Sequence, residues 1–132
     1  MTDKVVHFTK DGYAASGGGG TNTFTIPLTT GKLSETNATY MFEINLVGHS
    51  AQRTSFFGVK ACYSVQKTGS DLDGPGTVNP TIVWQTTGIG YQPTITCGNA
   101  SGDLLFTIVF AAGHTGFYWR AFVDVYVKDA SN

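Results

Sequence analysis

Apolar and polar residues alternate with a period of two through most of the chain. The alternation predicts strands over residues 4–9, 22–28, 39–48, 54–66, 81–87, 93–97, 104–111 and 117–128. Clusters of Gly, Pro, Asn and Ser interrupt these runs at short intervals, and no stretch carries three turns of amphipathic helix. Eight strands without a helix predict an all-β chain folded as a two-sheet antiparallel sandwich.

The alternation also assigns faces. In the third strand Tyr40, Phe42, Ile44 and Leu46 form the row expected to point inward, against Met41, Glu43, Asn45 and Val47. In the fourth, Phe57, Val59, Ala61, Tyr63 and Val65 oppose Phe56, Gly58, Lys60, Cys62, Ser64 and Gln66. Residues 104–110 are apolar on both rows, which predicts a central strand between two packed surfaces. The last strand is the most informative. Phe117, Trp119, Ala121, Val123, Val125 and Val127 make one continuous apolar row for the core, while Tyr118, Arg120, Phe122, Asp124 and Tyr126 make the other. Three large aromatics interleaved with one charge of each sign suit a subunit interface better than a solvated face, so Tyr118, Arg120, Phe122 and Tyr126 are expected at an oligomer contact.

Composition narrows the partners. The chain has 132 residues, enough for one domain with its own core, and charged residues are only 13% of it. Eight Lys and Arg stand against nine Asp and Glu, with no basic run, which argues against nucleic acid held through its phosphates. The surface must be built largely from Thr, Ser, Asn and Gly, which suits neutral ligands such as sugars or another subunit. The opening Met1-Thr-Asp-Lys-Val-Val has the pattern neither of a signal peptide nor of a membrane span, and no membrane insertion is expected. The tetraglycine at residues 17–20 suggests that residues 1–20 are an N-terminal strand and flexible connector, with the sandwich at 21–132. Residues 67–80 form a long loop rich in Gly, Asp and Pro.

The search for catalytic chemistry yields little. His7, His49 and His114 fall in separate elements, no nucleophile elbow is present, and Cys62 and Cys97 read as small buried hydrophobes, with a single bridge between them as the alternative. Glu43 and Asp124 are acids inside strands, the only pair that a small glycosidase could use, and surface pairing with Lys60 or Arg120 explains them more simply. Asp71-Leu-Asp73-Gly74 lacks the remaining ligands of a calcium loop. The chain is therefore expected not to be an enzyme and to need no cofactor or metal. Aromatics near strand ends, Tyr13, Trp84, Tyr91, Phe117 and Tyr118, stand with amides and an imidazole, the mixture that stacks on sugar rings and bonds their hydroxyls. Trp84, Tyr91, Gln92, His114 and Tyr118 are the expected ligand-binding residues.

The strand texture, low charge, and closing run of Phe106-Thr-Ile-Val-Phe-Ala-Ala followed by Gly-Phe-Tyr-Trp-Arg-Ala-Phe-Val-Asp-Val resemble the C-terminal head domains of bacteriophage tail fibres and tailspikes. They are also similar to the trimeric jelly rolls of the tumour-necrosis-factor and complement-C1q type. The resemblance spans residues 21–128 and rests on architecture. It implies an eight-stranded antiparallel jelly-roll sandwich that forms a homotrimer at the tip of a virion tail fibre, assembled in the host cytoplasm. Such a head attaches multivalently to a bacterial surface polysaccharide or protein. The competing expectations are a monomeric carbohydrate-binding module of a secreted enzyme and a purely structural virion or fibre-trimerisation domain.

Overall fold

The computed structural model describes residues 3–16, 21–34, 36–51, 53, 55–69, 71–73, 81–87, 93–110 and 116–129, with the backbone alone for 81–87. The strands are β1 (Lys4–Ala14), β2 (Thr23–Ile26), β3 (Asn37–Ser50), β4 (Phe56–Thr68), β5 (Asp71–Asp73), β6 (Thr81–Thr87), β7 (Thr94–Ala100), β8 (Asp103–Val109) and β9 (Phe117–Asp129). All pairings are antiparallel. The large sheet runs β1-β9-β3-β4-β5, with β6 also paired to β4, and the small sheet runs β2-β8-β7. The chain is thus an all-β sandwich. Because β1 pairs with β9 and β2 with β8, the first and last strands travel as one ribbon from sheet to sheet, as in jelly-roll winding. The β3-β4 hairpin stays within the large sheet.

Alternation decides what is buried. Tyr40, Phe42, Ile44 and Leu46 of β3, with Phe57, Val59, Ala61, Tyr63 and Val65 of β4, all face inward as their pattern requires. The inward row of β9, from Phe117 to Val127, joins them, and Ile95, Cys97, Leu104, Phe106 and Ile108 close the core from the small sheet. Phe106 holds the layers together: it stacks on Phe24 at 5.1 Å and meets Phe42 at 5.7 Å and Tyr63 at 6.1 Å. Trp119 is a core residue whose indole N–H donates to the Thr21 carbonyl at 2.8 Å. Its neighbours across the sheet, Gly12 and Gly48, are glycines for a steric reason. A Cβ on Gly12 would lie 2.7 Å from the Trp119 ring, and one on Gly48 would lie 2.7 Å from the Tyr118 carbonyl oxygen.

One corner is closed by polar groups. The Asp103 carboxylate accepts from the Leu28 amide at 2.8 Å, the Thr29 amide at 3.1 Å and the Thr29 hydroxyl at 2.9 Å. Buried Lys67 donates to the Leu28 carbonyl, placing its ammonium near the same corner. Burial pushes the Asp103 carboxyl up, but those hydrogen bonds and the Lys67 charge outweigh it and hold the group below its ordinary value.

Four details depart from the sequence pattern. β1 continues to Ala14, past the end expected at Thr9, because Asp11 pairs with Arg120 at 3.0 Å and Gly12 makes room for Trp119. The N-terminal strand expected at residues 4–9 thus runs over residues 4–14 as an edge strand of the large sheet paired along β9. The loop at 67–80 contributes β5, which pairs Leu72 with Lys67. β8 is central as expected, yet its outer row is only partly covered, with Val109 exposed. The cysteines are free and Cys97 is buried in the small sheet, as the simpler reading has it, but Cys62, expected to be buried, lies only half-buried on the outer row of the large sheet, opposite Glu43. Burial pushes the Cys97 thiol up to about 11, although its hydrogen bond with Tyr63 pulls the other way, so it is a packed thiol and not a nucleophile.

Candidate functional site

The outer face of the large sheet is where the described surface departs from ordinary solvent cover. Nine large apolar side chains are exposed among the described residues: Val5, Tyr13, Met41, Val47, Phe56, Val109, Tyr118, Phe122 and Tyr126. All but Val109 project from this one face. Eight exposed large apolar side chains on one sheet face, even divided by charged pairs, mark an interaction surface.

Register sorts the face into bands across β1, β9 and β3. Tyr13, Tyr118 and His49 lie side by side at one end, followed by Asp11, Arg120 and Val47, then Thr9, Phe122 and Asn45. The next band is His7, Asp124 and Glu43, and the far end is Val5, Tyr126 and Met41. Two carboxylates stand directly opposite each other in the charged band, which is unfavourable unless each has a cation. His7 contacts Asp124, and Lys60 reaches Glu43 at 3.3 Å. The acids that could have formed a catalytic pair are thus adjacent, and each is engaged by a basic partner.

The aromatic end forms a groove of about 650 Å³, lined by Asp11, Gly12, Tyr13, Val47, Gly48, His49, Tyr118, Trp119, Arg120 and Phe122. The rings of Tyr13 and Tyr118 are centred 4.6 Å apart, tilted by 44°, and His49 lies 5.7 Å from Tyr118 on the other side. The Ser50 carbonyl accepts from His49 Nδ1 at 2.8 Å, which fixes the ring beside Tyr118. Arg120 donates to Asp11 at 3.0 Å beside these rings. At the opposite end a second groove, of about 520 Å³, is lined by Asp3, Lys4, Val5, Thr39, Met41, Tyr126, Val127 and Lys128.

Of the residues expected to bind ligand, Tyr118 is on this face and half exposed. Tyr91, Gln92 and His114 lie outside the described residues, as does the side chain of Trp84, whose backbone pairs with Lys60 in β6. Phe117, grouped with them by its position, turns inward and is buried. Asn99 serves a turn, its side-chain oxygen accepting from the Gly102 amide at 2.8 Å. The expected interface residues Tyr118, Arg120, Phe122 and Tyr126 all project outward, and the structure separates them: Tyr118, Arg120 and Phe122 belong to the aromatic groove, Tyr126 to the far one. Asp11 and His49 were not legible as members of this site, because their neighbours across β9 are set by register and not by spacing along the chain. Among the described residues no group of three metal-ligating side chains occurs.

No protein-family model matches the chain, and no curated protein does. Among solved structures it is similar to the tailspike protein of Acinetobacter baumannii phage AM24, with a TM-score of 0.55 at 10% sequence identity. The match covers 96% of this chain and 27% of the tailspike chain. At that identity the likeness establishes a shared β fold.

Proposed function

We propose that the chain is a non-catalytic attachment domain of a bacteriophage tail appendage, working as a homotrimer that binds a host cell-surface glycan or protein multivalently. The observation that carries this reading is the apolar outer face of the large sheet. Val5, Met41 and Tyr126 form one apolar band of it, with Phe122 beyond the charged band of His7, Asp124 and Glu43, and cover of the Tyr126 band by a second copy would remove its side chains from water. The fold shared with part of a phage tailspike supports placement in a virion tail, where three identical sites on one rigid head turn weak contacts into tight attachment. The pairing of Asp124 with His7 and of Glu43 with Lys60 supports a binding role over hydrolysis, since each carboxyl already has a basic side chain as its partner.

The test is to incubate the labelled chain with intact bacterial cells and their purified surface polysaccharides, following binding and the release of reducing ends together. Saturable binding without release of reducing ends is the expected result. Progressive shortening of the polysaccharide would replace attachment by catalysis.

A further inference from the structure

We infer that the groove around Tyr118 is the ligand site of this attachment domain and that it takes an uncharged saccharide, laid over the rims of the Tyr13, Tyr118 and His49 rings and bonded through its hydroxyls to Asp11 and Arg120. The inference rests on the attachment reading for the presence of a host-surface ligand, but not on the trimer.

The geometry supplies each part. Three rings drawn from three neighbouring strands cover about 10 Å, because strands lie roughly 4.8 Å apart. That length accommodates two linked sugar rings. Tyr118 stands between Tyr13 and His49 and is half exposed, so an apolar C–H patch of a pyranose can pack on the aromatic rims while the phenol hydroxyls bond its polar groups. Arg120 spends one bond on Asp11, which leaves further guanidinium donors and the second carboxylate oxygen for neighbouring hydroxyls. That a neutral ligand is favoured follows from the same pair: guanidinium and carboxylate cancel within the groove. An acidic sugar would have to compete with Asp11 for Arg120, and a cationic one with Arg120 for Asp11.

The other apolar end of the face lacks this equipment. Val5, Met41 and Tyr126 offer one ring, and the Lys128 and Asp3 charges there are 3.9 Å apart. It suits an apolar partner, which leaves Tyr118 and Arg120 to the ligand and Tyr126 to the subunit contact.

The experiment is a microarray of bacterial oligosaccharides, neutral and uronic-acid-containing, probed with the intact chain and with Tyr118→Ala and Asp11→Asn, the mass of each protein being measured in the same buffer. Asp11 is 63% exposed on its side chain, and an Asn oxygen can still accept from Arg120, so Asp11→Asn keeps the β1–β9 contact while removing the charge. We expect binding to neutral glycans, a drop of about tenfold or more for Tyr118→Ala, a smaller drop for Asp11→Asn, and unchanged mass. The proposal is overturned if no glycan binds, if only acidic glycans bind, or if both variants bind like the parent. It is equally overturned if Tyr118→Ala lowers the mass, which would make Tyr118 a subunit contact. A monomeric parent that still binds neutral glycans through Tyr118 would preserve this site and sink the trimer.

Discussion

The two sheets turn very different outer faces to their surroundings. On the small sheet the outward row is dominated by threonine: Thr23 stands opposite Thr107, which stands opposite Thr96, and Thr25 lies opposite Leu105. On the large sheet the equivalent positions carry Tyr118, Phe122, Tyr126, Met41 and Val47, all exposed. Strand alternation fixes only the inner rows, since both sheets must bury one face to fold at all. The outer row is free to follow function. Threonine satisfies a strand and water together, whereas a face of exposed aromatics costs solubility and persists only where something covers or uses it.

Four substitutions would break or sharpen that contrast. The largest effect is expected where the two sheets are common property: Phe106→Ala should lower stability by about 3–5 kcal/mol in urea unfolding, because the ring touches aromatics of both sheets. A loss below about 1 kcal/mol would mean that the layers do not meet there. Next, Tyr126→Lys on the aromatic face should weaken association by about 2 kcal/mol or more while leaving the circular dichroism spectrum intact. Association as tight as the parent's would remove Tyr126 from the contact.

The polar corner between the faces comes third. Asp103→Ala should cost about 1–3 kcal/mol by stranding the Leu28 and Thr29 amides. Its carboxyl is held below the ordinary value of 3.8, so its contribution is complete above that pH and is lost as pH falls through the lowered value. The parent should therefore be more acid-sensitive than Asp103→Ala between pH 4 and pH 2, on the order of the range carboxylates titrate. Equal acid sensitivity would deny the corner that role. The smallest effect is expected for Thr107→Lys on the small sheet, within about 0.5 kcal/mol and with no change in mass. A change in mass there would make the threonine face an interface too.

Much of this architecture is readable from the residues alone. The inward rows of β3, β4 and β9 follow directly from alternation, because a one-residue slip would expose Phe42 or Trp119. What alternation does not carry is which strands adjoin. Tyr13 and Tyr118 are far apart in sequence, and only the pairing of β1 with β9 stacks them, so the groove was legible as scattered strand-end aromatics and not as a site. The extension of β1 was hidden for a related reason. Lys10-Asp11-Gly12 has turn chemistry, and its strand conformation depends on Arg120 and Trp119 across the pair.

The central claim, that the Tyr126 end of the outer face is a contact between copies, is tested most directly by the absolute mass of the intact chain, from light scattering coupled to size-exclusion chromatography. The account predicts three times 14.1 kDa, falling to 14.1 kDa for Tyr126→Lys. A mass of 14.1 kDa for the parent across the micromolar range would contradict it, and would leave the whole outer face of the large sheet to a ligand.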